Sequence, residues 1–407
     1  MKKILIVIIL FLTSISSVSA TNLDLYSEYV LLYNFDTKEI VYSKNANKRT
    51  AIASLTKLFT VYFSLENITD VNDKVTLNSN VFNGLSELGA SQAGFKPGES
   101  VTYLDLLYAT MLPSGADATR GLAISLFGSE ENFASEMTKR MKELGLKNTN
   151  FKNSSGLNAE GQYSSVEDIH KFMLIALEND LFKEMYEART YITTNGLHLK
   201  STYKNASDSY DLGLSNYIIG TKTGFTNQSG VCLASTAKYN GTSYMLITTG
   251  ASSIGYANLR HYIDAKTVYD YYFNNYTYQI YSSDDVIAKI NLINSKEKEF
   301  LLTFISDYGI LQNINSEYEI KYAGETEINT LKTKVGDKLG EIQVLENGEL
   351  LYSEDVYLPV GFGFSLMSLA VENIYSIIVI ITIFLILCFY LKIRRKNVHR
   401  KIHKIQR

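Results

Sequence analysis

The sequence predicts an α+β protein: an antiparallel sheet flanked by helices, then a small all-β domain, then a transmembrane helix at the C-terminus. Three observations carry that prediction. Strand-like segments stand at both ends of the first 275 residues, with a mostly helical stretch between them. Residues 276–360 switch to two-residue alternation with hairpin signals. Residues 374–391 hold no charge and, at 1.5 Å per residue, reach across about 27 Å.

In chain order, residues 29–35 and 39–42 read as strands joined through Asp36-Thr37-Lys38. Helical character begins at Ser54, where Leu55, Leu58, Phe59, Tyr62 and Leu65 give the spacing of one buried face, and it persists to about Arg189. Within it, residues 132–144 end at Gly145, a suitable helix stop, and 168–177 form a further helix. Residues 221–225, 231–237 and 243–249 return to strands, with Asn240-Gly241 as a two-residue hairpin turn. A helix over 256–272 closes the first domain, placed at 21–275.

The second domain, 276–360, shows alternation at Val286, Ala288, Ile290 and Leu292, at Phe300, Leu302 and Phe304, and at Tyr318, Ile320 and Tyr322. Asn347-Gly348 marks a hairpin. No cluster of catalytic residue types lies there, so it reads as a stalk. Residues 361–373, with Phe362, Phe364, Leu366 and Leu369, suit an interfacial segment leading into the span.

Both ends point to export. Lys2 and Lys3, the apolar run from Ile4 to Leu12, and Val18-Ser19-Ala20 resemble a cleaved signal peptide over 1–20; an uncleaved anchor is the alternative. The basic tail 392–407 belongs on the cytoplasmic side of a single-pass span, which places the larger domain outside the cell membrane. Leader and tail hold ten of the 39 basic residues and no acid, so the remainder carries a net charge of −13. That disfavours a nucleic-acid partner. Cys232 and Cys388 cannot pair on this topology, and Cys232 reads as a small buried side chain. His170, His198 and His261 make no metal signature, which argues against a zinc hydrolase and leaves no metal or cofactor implied.

The chemistry is concentrated in three motifs. Ser54 and Lys57 lie three apart, so they share a helix face within side-chain reach. A lysine whose pKa is lowered by burial can take a serine proton. Pro113-Ser114-Gly115-Ala116-Asp117 follows an apolar helix; Ser114 can act on a proton or simply cap the next helix. Lys222-Thr223-Gly224 precedes the alternating run from Val231. An SxxK, an SGx and a KTG in this order resemble the penicillin-recognising serine enzymes. The surrounding residues, Ala53-Ser54-Leu55-Thr56-Lys57, Phe95-Lys96-Pro97-Gly98-Glu99, Leu112-Pro113-Ser114-Gly115 and Lys222-Thr223-Gly224-Phe225-Thr226, resemble the low-molecular-mass penicillin-binding proteins, specifically the serine D-alanyl-D-alanine carboxypeptidases. The resemblance is close over roughly residues 27–275.

The resemblance implies a penicillin-binding/β-lactamase-like fold for the first domain. It implies removal of the terminal D-alanine from peptidoglycan stem peptides ending in D-Ala-D-Ala, with β-lactam antibiotics as covalent inhibitors. Ser54 is then the nucleophile, Lys57 its base and Ser114 the proton relay to the leaving amine. Lys222, Thr223, Gly224 and Thr226 bind substrate, with Gly224 allowing close approach of the substrate backbone. The backbone N–H groups of Ser54 and Phe225 form the oxyanion hole. One position departs from the pattern: Ala116 stands where relatives usually carry asparagine. Two alternatives stay open. One is another acyl transfer, by a D,D-transpeptidase or a β-lactamase, although residues 148–157 lack the glutamate a class A β-lactamase needs. The other is a catalytically weakened wall-binding protein, suggested by Ala116 alone.

Overall fold

The structure, a computed structural model, describes residues 22–203, 212–253, 259–363 and 365–405. The leader expected over 1–20 lies outside the described residues. The chain divides into two compact units. Among the described residues the first comprises 22–279 with 310–314, and the second comprises 280–309 and 315–405.

The first unit begins with strands β1 (Tyr29–Asn34) and β2 (Glu39–Lys44), an antiparallel hairpin. Its turn is shaped by the buried Asn34, whose Oδ1 accepts the N–H groups of Asp36 and Thr37, both at 2.8 Å. Helix α1 (Thr56–Asn67) follows a short 3-10 turn at Ala53–Leu55. The ribbon of β3 (Lys74–Thr76) and β4 (Ser100–Thr102) comes next, then α2 (Tyr103–Met111), α3 (Ala116–Phe127), α4 (Glu130–Glu143), α5 (Val166–Ala176) and α6 (Asp180–Glu187). A second ribbon joins β5 (Thr190–Ile192) to β6 (His198–Lys200). Three long strands, β7 (Ile218–Thr226), β8 (Gly230–Tyr239) and β9 (Thr242–Ala251), complete the main sheet before α7 (Arg260–Asn275).

The five main strands are antiparallel in the order β2-β1-β9-β8-β7. The first strands of the unit therefore pair with the last, and the helices are inserted between them. β7 is an edge strand with one side of its backbone unpaired within the sheet. Asn240 and Gly241 take φ of 48° and 82°, as a type I′ hairpin requires.

Both faces of the sheet are covered. Leu31, Cys232, Ala234, Met245 and Ile247 join the core formed with α1 to α6. Their neighbours Val30, Leu32, Leu233, Tyr244 and Leu246 join a second core against α7. Alternation thus sorts residues between two apolar layers rather than between core and water, which is why β8 is buried from Val231 through Ala237. Helix α1 runs through the larger core. Its Phe59 ring stacks on Phe172 at a 4.0 Å centroid distance and meets Phe151 at 5.0 Å.

Two expectations shift in detail. The stretch 54–189 is less continuously helical than its pattern suggests, because 68–102 is turns and ribbon, with Gly84, Gly89, Gly94 and Gly98 all at positive φ. The helix expected over 256–272 is observed from Arg260, while 254–258 lie outside the described residues.

After α7 come β10 (Tyr276–Tyr281), β11 (Ala288–Ile293), β12 (Glu299–Leu302), β13 (Tyr308–Asn313), β14 (Tyr318–Gly324), β15 (Glu327–Asn329), β16 (Lys338–Glu346) and β17 (Glu349–Tyr357). β13 returns to pair with β10. In the second unit, β12-β11-β15 and β14-β16-β17 are three-stranded sheets whose inner residues include Ile290, Leu292, Leu302, Ile328, Ile342 and Val344. The hairpin at Asn347-Gly348 joins β16 to β17 in the expected place. A short helix, α8 (Leu366–Glu372), precedes α9 (Ile374–Ile405). Its first 19 residues, Ile374–Lys392, have a mean hydropathy of 2.8 and none is buried, so the helix is long and apolar enough to cross a membrane.

Candidate active site

Ser54 sits on the 3-10 turn, two residues before α1 begins, rather than at the first helical position. The turn is entered through Ala53 at φ 45°, a left-handed conformation that costs a non-glycine residue about 1–2 kcal/mol. Such strain persists only where surrounding contacts hold it. Lys57 lies on the first turn of α1, 3 % exposed, and its Nζ donates to Ser54 Oγ at 3.1 Å and to the Ser155 carbonyl at 2.6 Å. Burial pushes the Lys57 ammonium down to about 7, and the charges of Asp117 and Glu130 oppose the fall. A lysine that shares its proton this readily near neutrality can act as a base.

The loop that carries Ser155 is built for this contact. Asn153 Oδ1 accepts Gly156 N–H at 2.8 Å and Asn153 Nδ2 donates to Leu157 O at 2.9 Å. Glu130 accepts from the Ser154 N–H and Oγ at 3.0 and 2.7 Å while pairing with Arg120 at 2.9 Å. The Ser154 carbonyl accepts Thr60 Oγ1 from α1 at 2.6 Å. Gly156, at φ 85°, lies so close to the turn carrying Ser54 that a Cβ there would stand 1.9 Å from the Ala53 carbonyl oxygen. None of these residues was singled out from the sequence. Their contribution is largely through backbone atoms, and the only local signal is the turn-forming run Asn153-Ser154-Ser155-Gly156.

Ser114 takes φ 63° and is 4 % exposed, and its Oγ has no hydrogen-bond partner among the described residues. The N-cap of α3 is Gly115, so Ser114 is not the capping residue. Ala116 opens α3, buried, its N–H donating to Ser91 O at 2.7 Å. Asp117 accepts the N–H groups of Ala93, Gly94 and Phe95 at 2.8, 3.1 and 3.2 Å, which ties that loop to the start of α3.

Lys222 is 1 % exposed on β7, and its Nζ reaches the Thr223 carbonyl at 3.2 Å. Burial, and then the charge of Lys57, holds its pKa well below the usual lysine range. Thr223 Oγ1 is 2.7 Å from Thr202 Oγ1. Gly224 also makes a close contact within the protein. A Cβ there would be 3.0 Å from Ser54 N and 3.2 Å from Ala53 Cβ, so the strand packs directly against the turn carrying Ser54. Phe225 follows on the same edge with a side chain 44 % exposed. Thr226 Oγ1 exchanges hydrogen bonds with Ser229, receiving from its N–H at 3.1 Å and lying 3.0 Å from its Oγ, so this hydroxyl holds the β7–β8 turn. Opposite Gly224 in the register lies Cys232, fully buried, its thiol pushed up to about 12 by burial.

Ser54, Lys57, Lys222 and Gly224 are thus brought together from the 3-10 turn, α1 and β7. A hydroxyl bonded to a buried amine beside an open strand edge defines a serine acyl-transfer enzyme. The comparisons narrow the class. The family profile described as D-alanyl-D-alanine carboxypeptidase matches residues 16–253, and the chain belongs to that family. It is 31 % identical over 339 residues to the D-alanyl-D-alanine carboxypeptidase DacF of Bacillus subtilis, covering 80 % of this chain and 83 % of that one. The solved Streptomyces K15 DD-transpeptidase superposes with a TM-score of 0.55 at 26 % identity, covering 62 % of this chain and 99 % of that one. DacD from Francisella tularensis, a D-alanyl-D-alanine carboxypeptidase, shares the fold with a TM-score of 0.64 at 20 % identity, over 85 % of this chain and 96 % of that one.

Proposed function

We propose that the protein is a serine D-alanyl-D-alanine carboxypeptidase acting through an acyl-enzyme on Ser54. The observation that carries this reading is the 3.1 Å hydrogen bond between Ser54 Oγ and a Lys57 held near pKa 7. Lys57 takes the hydroxyl proton as Ser54 Oγ attacks the carbonyl between the last two D-alanines of a peptidoglycan stem peptide. The N–H groups of Ser54 and Phe225 receive the developing oxyanion. The tetrahedral adduct expels the terminal D-alanine as its amine takes a proton through Ser114. Water then attacks the ester, gives its proton to Lys57, and Ser54 leaves as the hydroxyl. Lys222 and Thr223 hold the terminal carboxylate, a charge-assisted contact that neutral peptides lack. Thr226 supports that edge through its turn with Ser229. β-Lactams, which present a strained amide beside a carboxylate, acylate the same serine. No cofactor takes part in these steps.

The domain scheme fits this use: a leader over 1–20, a catalytic domain over 21–275, a β stalk over 276–360, an interfacial segment over 361–373, a span over 374–391 and a basic tail over 392–407. The catalytic domain then faces the wall and the tail the cytoplasm. The test is incubation of the full-length protein in detergent with a pentapeptide ending in D-Ala-D-Ala, followed by mass analysis. Loss of one alanine, together with penicillin labelling that disappears in Ser54→Ala, supports the reading. Labelling that persists in that variant places the nucleophile elsewhere.

A further inference from the structure

Three loops of the second unit meet where the chain leaves its strands for α8: residues 294–298 between β11 and β12, 330–337 between β15 and β16, and 358–365 after β17. They are tied to one another. The Lys296 N–H donates to Gly363 O at 2.7 Å and the Ser365 N–H to Asn294 O at 3.0 Å. The Thr330 N–H donates to Ile293 O at 3.2 Å, and the Gly336 N–H to Leu358 O at 2.9 Å. A Cβ at Gly361 would stand 3.7 Å from Val335 Cγ2. These contacts gather Leu331, Val335 and Val360 at one end of the unit, each more than half exposed. Leu331 is at the tip of a turn whose Lys332 N–H donates to Asn329 O at 2.9 Å.

The free charge at this end is positive. Lys296, Lys298, Lys332 and Lys334 are exposed, and among the described residues their amines have no ion pair or hydrogen bond. The acids of the same loops are already engaged. Glu297 Oε2 accepts the Ser295 Oγ at 2.8 Å and the Gly363 N–H at 3.2 Å, and Asp337 Oδ2 accepts the Lys334 N–H at 2.8 Å.

Position says what covers this end. Helix α8 has seven residues, about 10 Å at 1.5 Å each, and the apolar stretch begins two residues later at Ile374. With the span proposed above, on which this inference rests, the loops stand one short helix from the bilayer. A charged headgroup layer acts over about a Debye length, about 8 Å at physiological salt, so its field reaches them. We infer that these three loops form a lipid-docking surface. Leu331, Val335 and Val360 enter the membrane interface while the lysines pair with the phosphates of anionic phospholipids. A lipid surface satisfies both kinds of group at once, because apolar tips are buried while the amines stay in the headgroup layer.

The chain holds no tryptophan, so one substitution creates a single fluorescent reporter. Full-length Leu331→Trp is placed in nanodiscs of phosphatidylglycerol and phosphatidylcholine with brominated acyl chains, which quench tryptophan on contact. Leu350→Trp is the control, exposed beside the hairpin at the far end of β16. Phe384→Trp, inside the apolar stretch, reports the span itself. Emission at position 331 should fall about twofold or more while that at 350 is unchanged. The quenching should be lost in phosphatidylcholine alone, on replacing the four lysines by glutamine, and in 1 M salt, where the Debye length is about 3 Å. Quenching at 384 without quenching at 331 overturns the docking surface and leaves the span standing. Equal quenching at 331 and 350 overturns it too, as does quenching at 331 indifferent to lipid charge, salt and lysines. No quenching at 384 overturns the span and the docking surface together.

Discussion

Replacing Gly156 by alanine should silence the site without touching any of its reactive groups. The new Cβ would stand 1.9 Å from the Ala53 carbonyl oxygen, where a carbon–oxygen contact needs about 3.3 Å. Either the loop or the Ala53 carbonyl must retreat by more than about 1 Å, and Ser54 is the next residue. A displacement of that size at a reacting group costs about 100-fold in rate. The same move draws the Ser155 carbonyl away from Lys57 Nζ, a contact of 2.6 Å. Gly145 supplies a matched control, because it has the same φ of 85° but a Cβ added there would meet nothing within 4 Å. Gly145→Ala should therefore show the conformational cost alone, about 1 kcal/mol of stability, with normal acylation. Stopped-flow acylation by a fluorescent penicillin, beside thermal unfolding of both variants, separates the two effects. Acylation of Gly156→Ala within about threefold of the unsubstituted protein would refute the argument that this close approach positions the nucleophile.

Acylation should also rise about tenfold per pH unit below 7 and level off above it, because only neutral Lys57 accepts the proton and its pKa is about 7; a rate still climbing at pH 9 would contradict the burial effect. The stability sign follows from the same group. The folded state binds fewer protons than the unfolded chain between about pH 7 and 10.5, so the Lys57 burial penalty is full below pH 7 and relieved as pH rises through that window, which urea titrations of Lys57→Met against the parent would register. Ala116→Asn should raise kcat/KM on D-Ala-D-Ala peptides about two- to tenfold by restoring one substrate hydrogen bond, given room at this buried position; rescue by orders of magnitude from an inert parent would mark a disabled enzyme. Protease added to wall-stripped cells should release a large soluble fragment and leave a membrane-held stub, whereas a catalytic domain protected until the membrane is breached would reverse the proposed topology.

The contact between Ser54 and Lys57 was legible because their spacing is local: they meet as a three-residue separation near a helix start dictates. The helix start itself was misplaced by two residues. Leu55 and Leu58 carry the apolar period across the boundary, while the conformation of Ala53 is imposed by β7 and the Gly156 loop, both more than 100 residues away. The close packing of Gly224 against Ser54 N was not legible, because it joins segments about 170 residues apart in the chain. Ser155 acts through its carbonyl, which every residue type possesses, so no residue pattern could mark it. The fold class was readable because the main strands are long and apolar, though the run at β8 hid that both its faces are covered.

The two buried amines have a consequence for ligand recognition. Lys57 lies close enough to Lys222 for its charge to depress the proton affinity of Lys222, and among the described residues neither amine hydrogen-bonds a carboxylate. Burial and the charge of Lys57 both disfavour a proton on Lys222. Under the proposed role of Lys222, a ligand carboxylate docking there would supply a counter-charge and favour the protonated amine. Binding would then be linked to proton uptake, so affinity for an acidic terminus would weaken as pH rises, even though the carboxylate itself stays charged.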